Sequence, residues 1–178
     1  MGYRIQSRIG VQAPAFAVWD VLSDLEGWKD WNPLFTEAEG RLSIGTLMRL
    51  RRVRADGKGE LEEVRVVDWV PNEQILWLKV IAPFARSLAF LEIEALSETA
   101  CVLAAGEVFD GLIGERLGKK QRRELNASWT GLVEAAKARA EATWDGTPGE
   151  RVLPPPPKPK PKEKPKMATL SMRPGMKK

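Results

Sequence analysis

The stretch Val11–Phe35, VQAPAFAVWDVLSDLEGWKDWNPLF, decides the fold of this chain. Pro14 stands where proline suits the first turn of a helix, with φ preset and no amide hydrogen bond forfeited. Ala17, Val18, Val21 and Leu22 then recur at helical spacing, which predicts a short helix with one apolar face. Ser23-Asp24 weakens that helix, and Gly27 and Pro33 punctuate the residues after it. A second short helix or an irregular turn is expected over Leu25 to Trp31, closed by Trp31-Asn32-Pro33.

Outward from this segment the pattern changes to strands. Upstream, Tyr3 to Gln12 carries Ile5, Ile9 and Val11 and reads as a first strand. Downstream, strands are expected over Phe35 to Leu42, Thr46 to Arg54, Leu61 to Val70, Ile75 to Ile81, Leu88 to Leu96 and Ala100 to Asp110. Ala55-Asp56-Gly57-Lys58-Gly59 is a glycine-supplied hairpin turn, and Pro83 is expected to break the pairing. Such short connections leave no room for crossovers, so the strands form an antiparallel meander.

Beyond Gly111, Gly114 and Gly118, one long helix is expected over Lys119 to Trp144. Leu125, Trp129, Leu132, Val133, Ala136 and Ala140 form its buried stripe. These elements define an α+β fold. A curved antiparallel sheet of about six to seven strands wraps around a long C-terminal helix, with two short helices after the first strand.

From Gly146 the composition shifts. Nine of the 13 prolines and nine basic residues against two acidic ones lie between Gly146 and Lys178. The expected organisation is therefore a domain over 1–145 and a disordered Pro/Lys-rich basic tail over 146–178. The first 145 residues hold 19 basic and 22 acidic side chains, so the net charge of +4 belongs to the tail and argues for no basic groove on the domain.

The chain contains no histidine and one cysteine, Cys101. A Ser-His-Asp or Cys-His device is excluded, a transition-metal site is not expected, and no cofactor is implied. Gly111-x-x-Gly114 lacks the lysine spacing of a phosphate-binding loop. One cysteine, no signal-peptide pattern and no long apolar run lead to the expectation of a cytoplasmic protein without a transmembrane segment.

Several motifs in order resemble the START/Bet v 1-like (SRPBCC) superfamily, and within it the polyketide cyclase/dehydrase-like group of small bacterial proteins. They are Ala13-Pro14 with Val18-Trp19-Asp20-Val21-Leu22, then Asp24, Trp28 and Trp31-Asn32-Pro33, then Gly45-Thr46. Pro71 with Ile75-x-Trp77 and Glu107-x-Phe109-x-Gly111 complete the set, which covers about residues 3 to 142. The resemblance implies a helix-grip fold with a hydrophobic cavity under the C-terminal helix, binding lipids, sterols, polyketides or other apolar molecules. Some members catalyse cyclisation or dehydration there. Related members often carry a histidine on the penultimate strand, and Ala85 to Glu92 has none.

Strand alternation selects two charged residues for the inner face. Arg52 shares a face with Met48 and Leu50, and Glu107 shares one with Cys101, Leu103, Ala105 and Phe109. Both are read as facing the cavity, to contact a polar ligand head, a water cluster or each other. The alternatives are that Arg52 reaches solvent at the hairpin end and that Glu107 pairs with a neighbouring strand. Asp20, Asp24, Glu26 and Asp30 fit a solvated helix face. Trp31, Trp77 and Trp129 stand near inward positions, as core or as cavity lining.

The expected ligand-binding set is Met48, Leu50, Arg52, Trp77, Phe84, Leu91, Leu103, Glu107, Phe109, Trp129 and Val133, with no metal site. A dry cavity of ~300 Å³ would cost about 7 kcal/mol at roughly 24 cal/mol per Å³. An open grip must therefore hold ligand or water, or be plugged by side chains such as Leu76, Trp77, Phe84, Phe90 and Trp129.

Three functions remain open at this point. The first is non-catalytic binding of a hydrophobic small molecule or lipid. The second is a cyclase or dehydratase-like enzyme using Glu107 and Arg52. The third is an interaction module docked to an anionic partner, nucleic acid or membrane surface, through the Lys/Pro tail.

Overall fold

The computed structural model describes residues 2–111 and 113–151; the expected tail from 152 onward lies outside the described residues. The elements are β1 (Tyr3–Val11), α1 (Ala15–Ser23), α2 (Trp28–Trp31), β2 (Phe35–Glu39), β3 (Leu47–Val53), β4 (Gly59–Val70), β5 (Gln74–Ala82), β6 (Ala85–Ser97), β7 (Ala100–Asp110), α3 (Gly114–Lys120) and α4 (Arg122–Thr143). One antiparallel sheet takes the order β1-β7-β6-β5-β4-β3-β2. The two short helices lie between its edge strands in sequence. α4 crosses the concave face and packs against β1, β7 and α1.

The decisive N-terminal segment folds through local chemistry. Ala17, Val18, Val21 and Leu22 are buried, and the Trp28 indole N–H donates to the Leu22 carbonyl at 3.0 Å. The Asn32 side-chain oxygen accepts from the amides of both Leu34 and Phe35 at 2.9 Å, an Asx turn that fixes the start of β2. Asp20, Asp24, Glu26 and Asp30 are exposed.

α4 buries Leu125, Trp129, Leu132, Val133, Ala136 and Ala140, the full expected stripe. Against it stand Trp28, Phe35 and Trp77. The ring centroid of Phe35 lies 5.7 Å from that of Trp28, 6.0 Å from Trp77 and 6.0 Å from Trp129. These four rings fill the middle of the grip, and each aromatic buried so removes roughly 150–250 Å² from water. Cys101 is buried at the far end of β7, and burial pushes its thiol up to about 11.

Several boundaries differ from those expected. The last helix is two helices: α3 starts at Gly114, the chain turns at Gln121 with φ −96° and ψ 6°, and α4 follows. Gly118 is the reason α3 can lie on the sheet, since a Cβ there would stand 2.8 Å from both Phe109 and Tyr3. β2 ends at Glu39 because Gly40 takes φ 133°. Pro83 does not break the β5–β6 pairing. It sits in a two-residue turn with Phe84, and Ala82 still pairs with Ala85. Past α4, residues up to Arg151 run along the β6–β7 turn, where the Gly149 amide donates to the Glu98 carbonyl at 2.7 Å.

Candidate functional site

Four charged side chains reach the concave face because the alternation of their strands puts them there. On β3, Arg52 follows Met48 and Leu50; on β7, Glu107 lies between Ala105 and Phe109. On β4, Glu62 shares the face of Val64 and Val66, and on β5 Lys79 shares that of Ile75 and Trp77. The register brings Leu50 opposite Glu62, Ala89 opposite Glu107 and Lys79 opposite Ser87, so the four converge near the hairpin end of the sheet.

Arg52 Nη2 donates to Glu107 Oε2 at 2.9 Å, and Lys79 Nζ donates to Glu62 Oε1 at 2.6 Å. Arg52 Nε stands 3.5 Å from Glu62 Oε1, and this buried N–H has no hydrogen-bond partner among the described residues. The side chains of Glu62 and Glu107 are 3% exposed and that of Arg52 13%, so the network is largely desolvated. Burial works against the charge on Arg52. Glu107 and Glu62 outweigh it and hold the guanidinium above its ordinary range. Two cations face two carboxylates, so the cluster carries no net charge. The Arg52 guanidinium carbon also lies 5.4 Å from the Phe35 ring and 5.8 Å from that of Trp129, joining the network to the aromatic plug.

The network forms one wall of a cavity of about 230 Å³ between the sheet and the α3–α4 elbow. Phe109, Leu117 and Leu125 supply apolar wall, and Ser128 faces it from α4. At the mouth, Glu124 Oε1 accepts from the Ala55 amide at 2.9 Å and ties the β3–β4 turn to the start of α4.

Of the expected binding set, Arg52, Glu107 and Phe109 stand on the wall of this cavity. Met48, Leu50, Trp77, Leu91, Leu103, Trp129 and Val133 are buried in the core and do not line it. Trp31 packs edge-on to Trp28 at 6.4 Å and is also off the wall. Phe84 requires a correction: the turn gives it φ 67° and leaves it 76% exposed, outside the grip. Phe90 and its cross-strand partner Leu76 lie on the convex face, where the Arg4 guanidinium covers the Phe90 ring at 4.1 Å. Neither plugs the grip.

Sequence reasoning missed Glu62 and Lys79. The signal was present in the same alternation rule: Glu62-x-Val64-x-Val66 and Ile75-x-Trp77-x-Lys79 each place a charge on an apolar face.

This arrangement, a curved sheet gripping a long helix with a charged cavity at one end, has relatives. Residues 3–143 match the family described as polyketide cyclase / dehydrase and lipid transport. The chain belongs to this family. Among solved structures, the Zhui aromatase/cyclase from Streptomyces sp. R1128 superposes with a TM-score of 0.65 at 20% identity, covering 79% of this chain and 94% of that one. A START superfamily protein from Mycobacterium smegmatis gives 0.54 at 19% identity, over 75% and 98% of the two chains. Ara h 8.0201 gives 0.62 at 11% identity, over 80% and 99%. At these identities the likeness establishes the helix-grip fold of the START/Bet v 1 superfamily for this family member. No curated protein sequence matches the chain.

Proposed function

We propose that this polyketide cyclase / dehydrase and lipid transport family member binds a small neutral molecule with a one- or two-ring apolar body and a carbonyl or phenolic oxygen. The observation that carries this reading is the cavity of about 230 Å³ walled by the Arg52–Glu107–Lys79–Glu62 network. A cavity of roughly 150 Å³ holds benzene, and drug-sized pockets begin near ~300 Å³. A long acyl chain or a four-ring polyketide exceeds the space, because Trp28, Phe35, Trp77 and Trp129 already occupy the middle of the grip. Arg52 stands on the cavity wall with its side chain 13% exposed, so its guanidinium is the donor that a ligand oxygen would meet. Since the network is neutral, an added carboxylate would be desolvated without a compensating charge, which disfavours free acids.

The expected result of titrating one- and two-ring aromatic ketones and phenols is saturable binding, seen by calorimetry. Ser128→Phe fills the cavity without touching the ion network and should weaken that binding at least tenfold, while a long-chain fatty acid binds neither protein. Undiminished binding by Ser128→Phe would place the ligand elsewhere.

A second reading is favoured by the hydrogen bond between Glu107 and Arg52 on the same wall. A carboxylate and a guanidinium so placed suit the enolisation of a poly-β-keto substrate, Glu107 taking the α proton and Arg52 stabilising the enolate oxygen. The enolate carbon then closes on a second ketone of the same chain, and the hydroxyl so formed leaves as water with the proton that Glu107 returns. Turnover of a short poly-β-keto substrate should then fall by about 10²-fold or more in Glu107→Gln. Turnover equal to wild type in that variant would leave binding as the whole function.

A further inference from the structure

The end of the molecule that carries the cavity mouth also carries the two most exposed large apolar side chains among the described residues, Phe84 and Val80, together with Ile113. Phe84 is 76% exposed, Val80 74% and Ile113 46%. Phe84 is held outward by its backbone: φ 67° suits glycine, and a bulky residue adopts it at a cost. Val80, Ala82 and Phe84 line one shallow apolar groove on that rim.

Next to this tip lies a run of cations. Arg116, Lys119, Lys120, Arg122 and Arg123 occupy the α3–α4 elbow, and all five are exposed. Gly111 abuts the Phe84 carbonyl and Gly114 abuts the Arg86 backbone, so α3 begins against the hairpin that bears Phe84. At about 1.5 Å rise per residue, the elbow is within roughly 10 Å of that contact. The acidic neighbours are few. Asp110 is held by Arg86 at 2.8 Å, Glu115 reaches Lys119 at 3.9 Å, and Glu124, next to Arg123, accepts from the Ala55 amide at 2.9 Å. Arg116, Lys120, Arg122 and Arg123 make no ion pair among the described residues.

From this juxtaposition we infer that the rim is a docking surface for an anionic lipid bilayer, with Phe84, Val80 and Ile113 entering the interface and the elbow cations meeting the headgroups. The chemistry selects the bilayer over a nucleic acid. Val80 and Ile113 offer nothing to a base or phosphate, whereas exposed apolar side chains ringed by Lys and Arg match the apolar boundary and charged surface of a membrane. Docked this way, the mouth of the cavity faces the apolar phase from which a hydrophobic ligand would come. The inference stands on the rim alone and does not require the ligand reading above.

The experiment uses the full chain throughout, so the basic tail contributes equally in every arm. Phe84→Cys is labelled with an environment-sensitive dye; the other cysteine, Cys101, is buried and is spared. Vesicles of phosphatidylcholine with roughly 30–40% phosphatidylglycerol present the negative surface potential that basic residues sense, and should shift the dye emission to the blue. Pure phosphatidylcholine should not.

In co-sedimentation, Phe84→Gly should weaken binding about tenfold, the loss expected from withdrawing one aromatic side chain from an apolar phase. Its melting temperature should hold, because glycine suits φ 67°. Arg122→Glu with Arg123→Glu should weaken binding by about 25-fold or more, at roughly fivefold per charge removed. Leu96→Ser, exposed beside the β6–β7 turn at the opposite end of β6 from Phe84, should change nothing.

Sedimentation with vesicles but no blue shift would mean that another part of the chain binds, and the inference fails. It fails equally if the charge reversals abolish RNA binding while vesicles remain unbound by wild type.

Discussion

Arg52→Met should destabilise the protein by about 3–5 kcal/mol, measured by chemical denaturation, among the largest effects of any surface-reachable substitution in this chain. The reason is what it leaves behind. Glu107, 3% exposed, loses the guanidinium that holds it at 2.9 Å, and Glu62 keeps only Lys79. A buried carboxylate without a partner costs far more than the pair it came from contributes, because desolvation has already been suffered and nothing offsets it.

The second half of this expectation separates charge from packing. Arg52→Met combined with Glu107→Leu removes both members of the pair and leaves Lys79 with Glu62, a balanced cluster. That double variant should recover most of the loss, so the coupling between the two sites should be about 2–3 kcal/mol. Additive losses instead would show that Arg52 acts through its contacts with Phe35 and Trp129, and the network would have no collective role. The recovered variant should still fail to bind the proposed ligand, since the Arg52 donor is gone.

How far the sequence reached can be seen from these same residues. The alternation rule placed Arg52 and Glu107 inward, because Met48, Leu50, Leu103 and Phe109 around them are unambiguously apolar. The helix stripe from Leu125 to Ala140 and the Asn32-Pro33 turn were equally readable, since each depends on neighbours in the chain. Phe84 was misplaced for a different reason: its direction depends on a turn conformation, φ 67°, that no periodicity encodes. The seat of α3 on the sheet depends on Gly118 meeting Phe109 and Tyr3, a contact between distant parts of the chain, and the break after α3 falls at Gln121, which no helical periodicity marks.

The extent of the cavity was beyond the pattern altogether. Trp77 and Trp129 carry the same inward signal whether they line a space or fill it. Only their mutual distance of 6.4 Å, with Phe35 at 6.0 Å from each, shows that they fill it.

That distinction sets the other large expectation. Trp129→Ala should cost about 3–5 kcal/mol, because the side chain is fully buried and its ring contacts Phe35 and Trp77 cannot be replaced by collapse of a sheet and a helix that are each rigid. Trp129→Phe should cost clearly less. It keeps an aromatic ring in place and removes an indole N–H that is buried without a hydrogen-bond partner among the described residues, a donor that is itself unfavourable at about 1–3 kcal/mol.

The alanine variant should also gain a property. Arg52 lines the cavity with its guanidinium carbon 5.8 Å from the Trp129 ring, and Leu125 and Ser128 of the same helix as Trp129 line it too, so loss of the ring should extend the existing 230 Å³. Three-ring aromatic ketones that wild type excludes should then bind, and at roughly 100 times their Kd should return about 2.7 kcal/mol of stability by mass action. A variant that loses stability but accepts no larger ligand would mean that the aromatic cluster is core alone. A variant that loses less than about 1 kcal/mol would mean that the grip closes around the missing ring, and that its width is set by the backbone and not by Trp129.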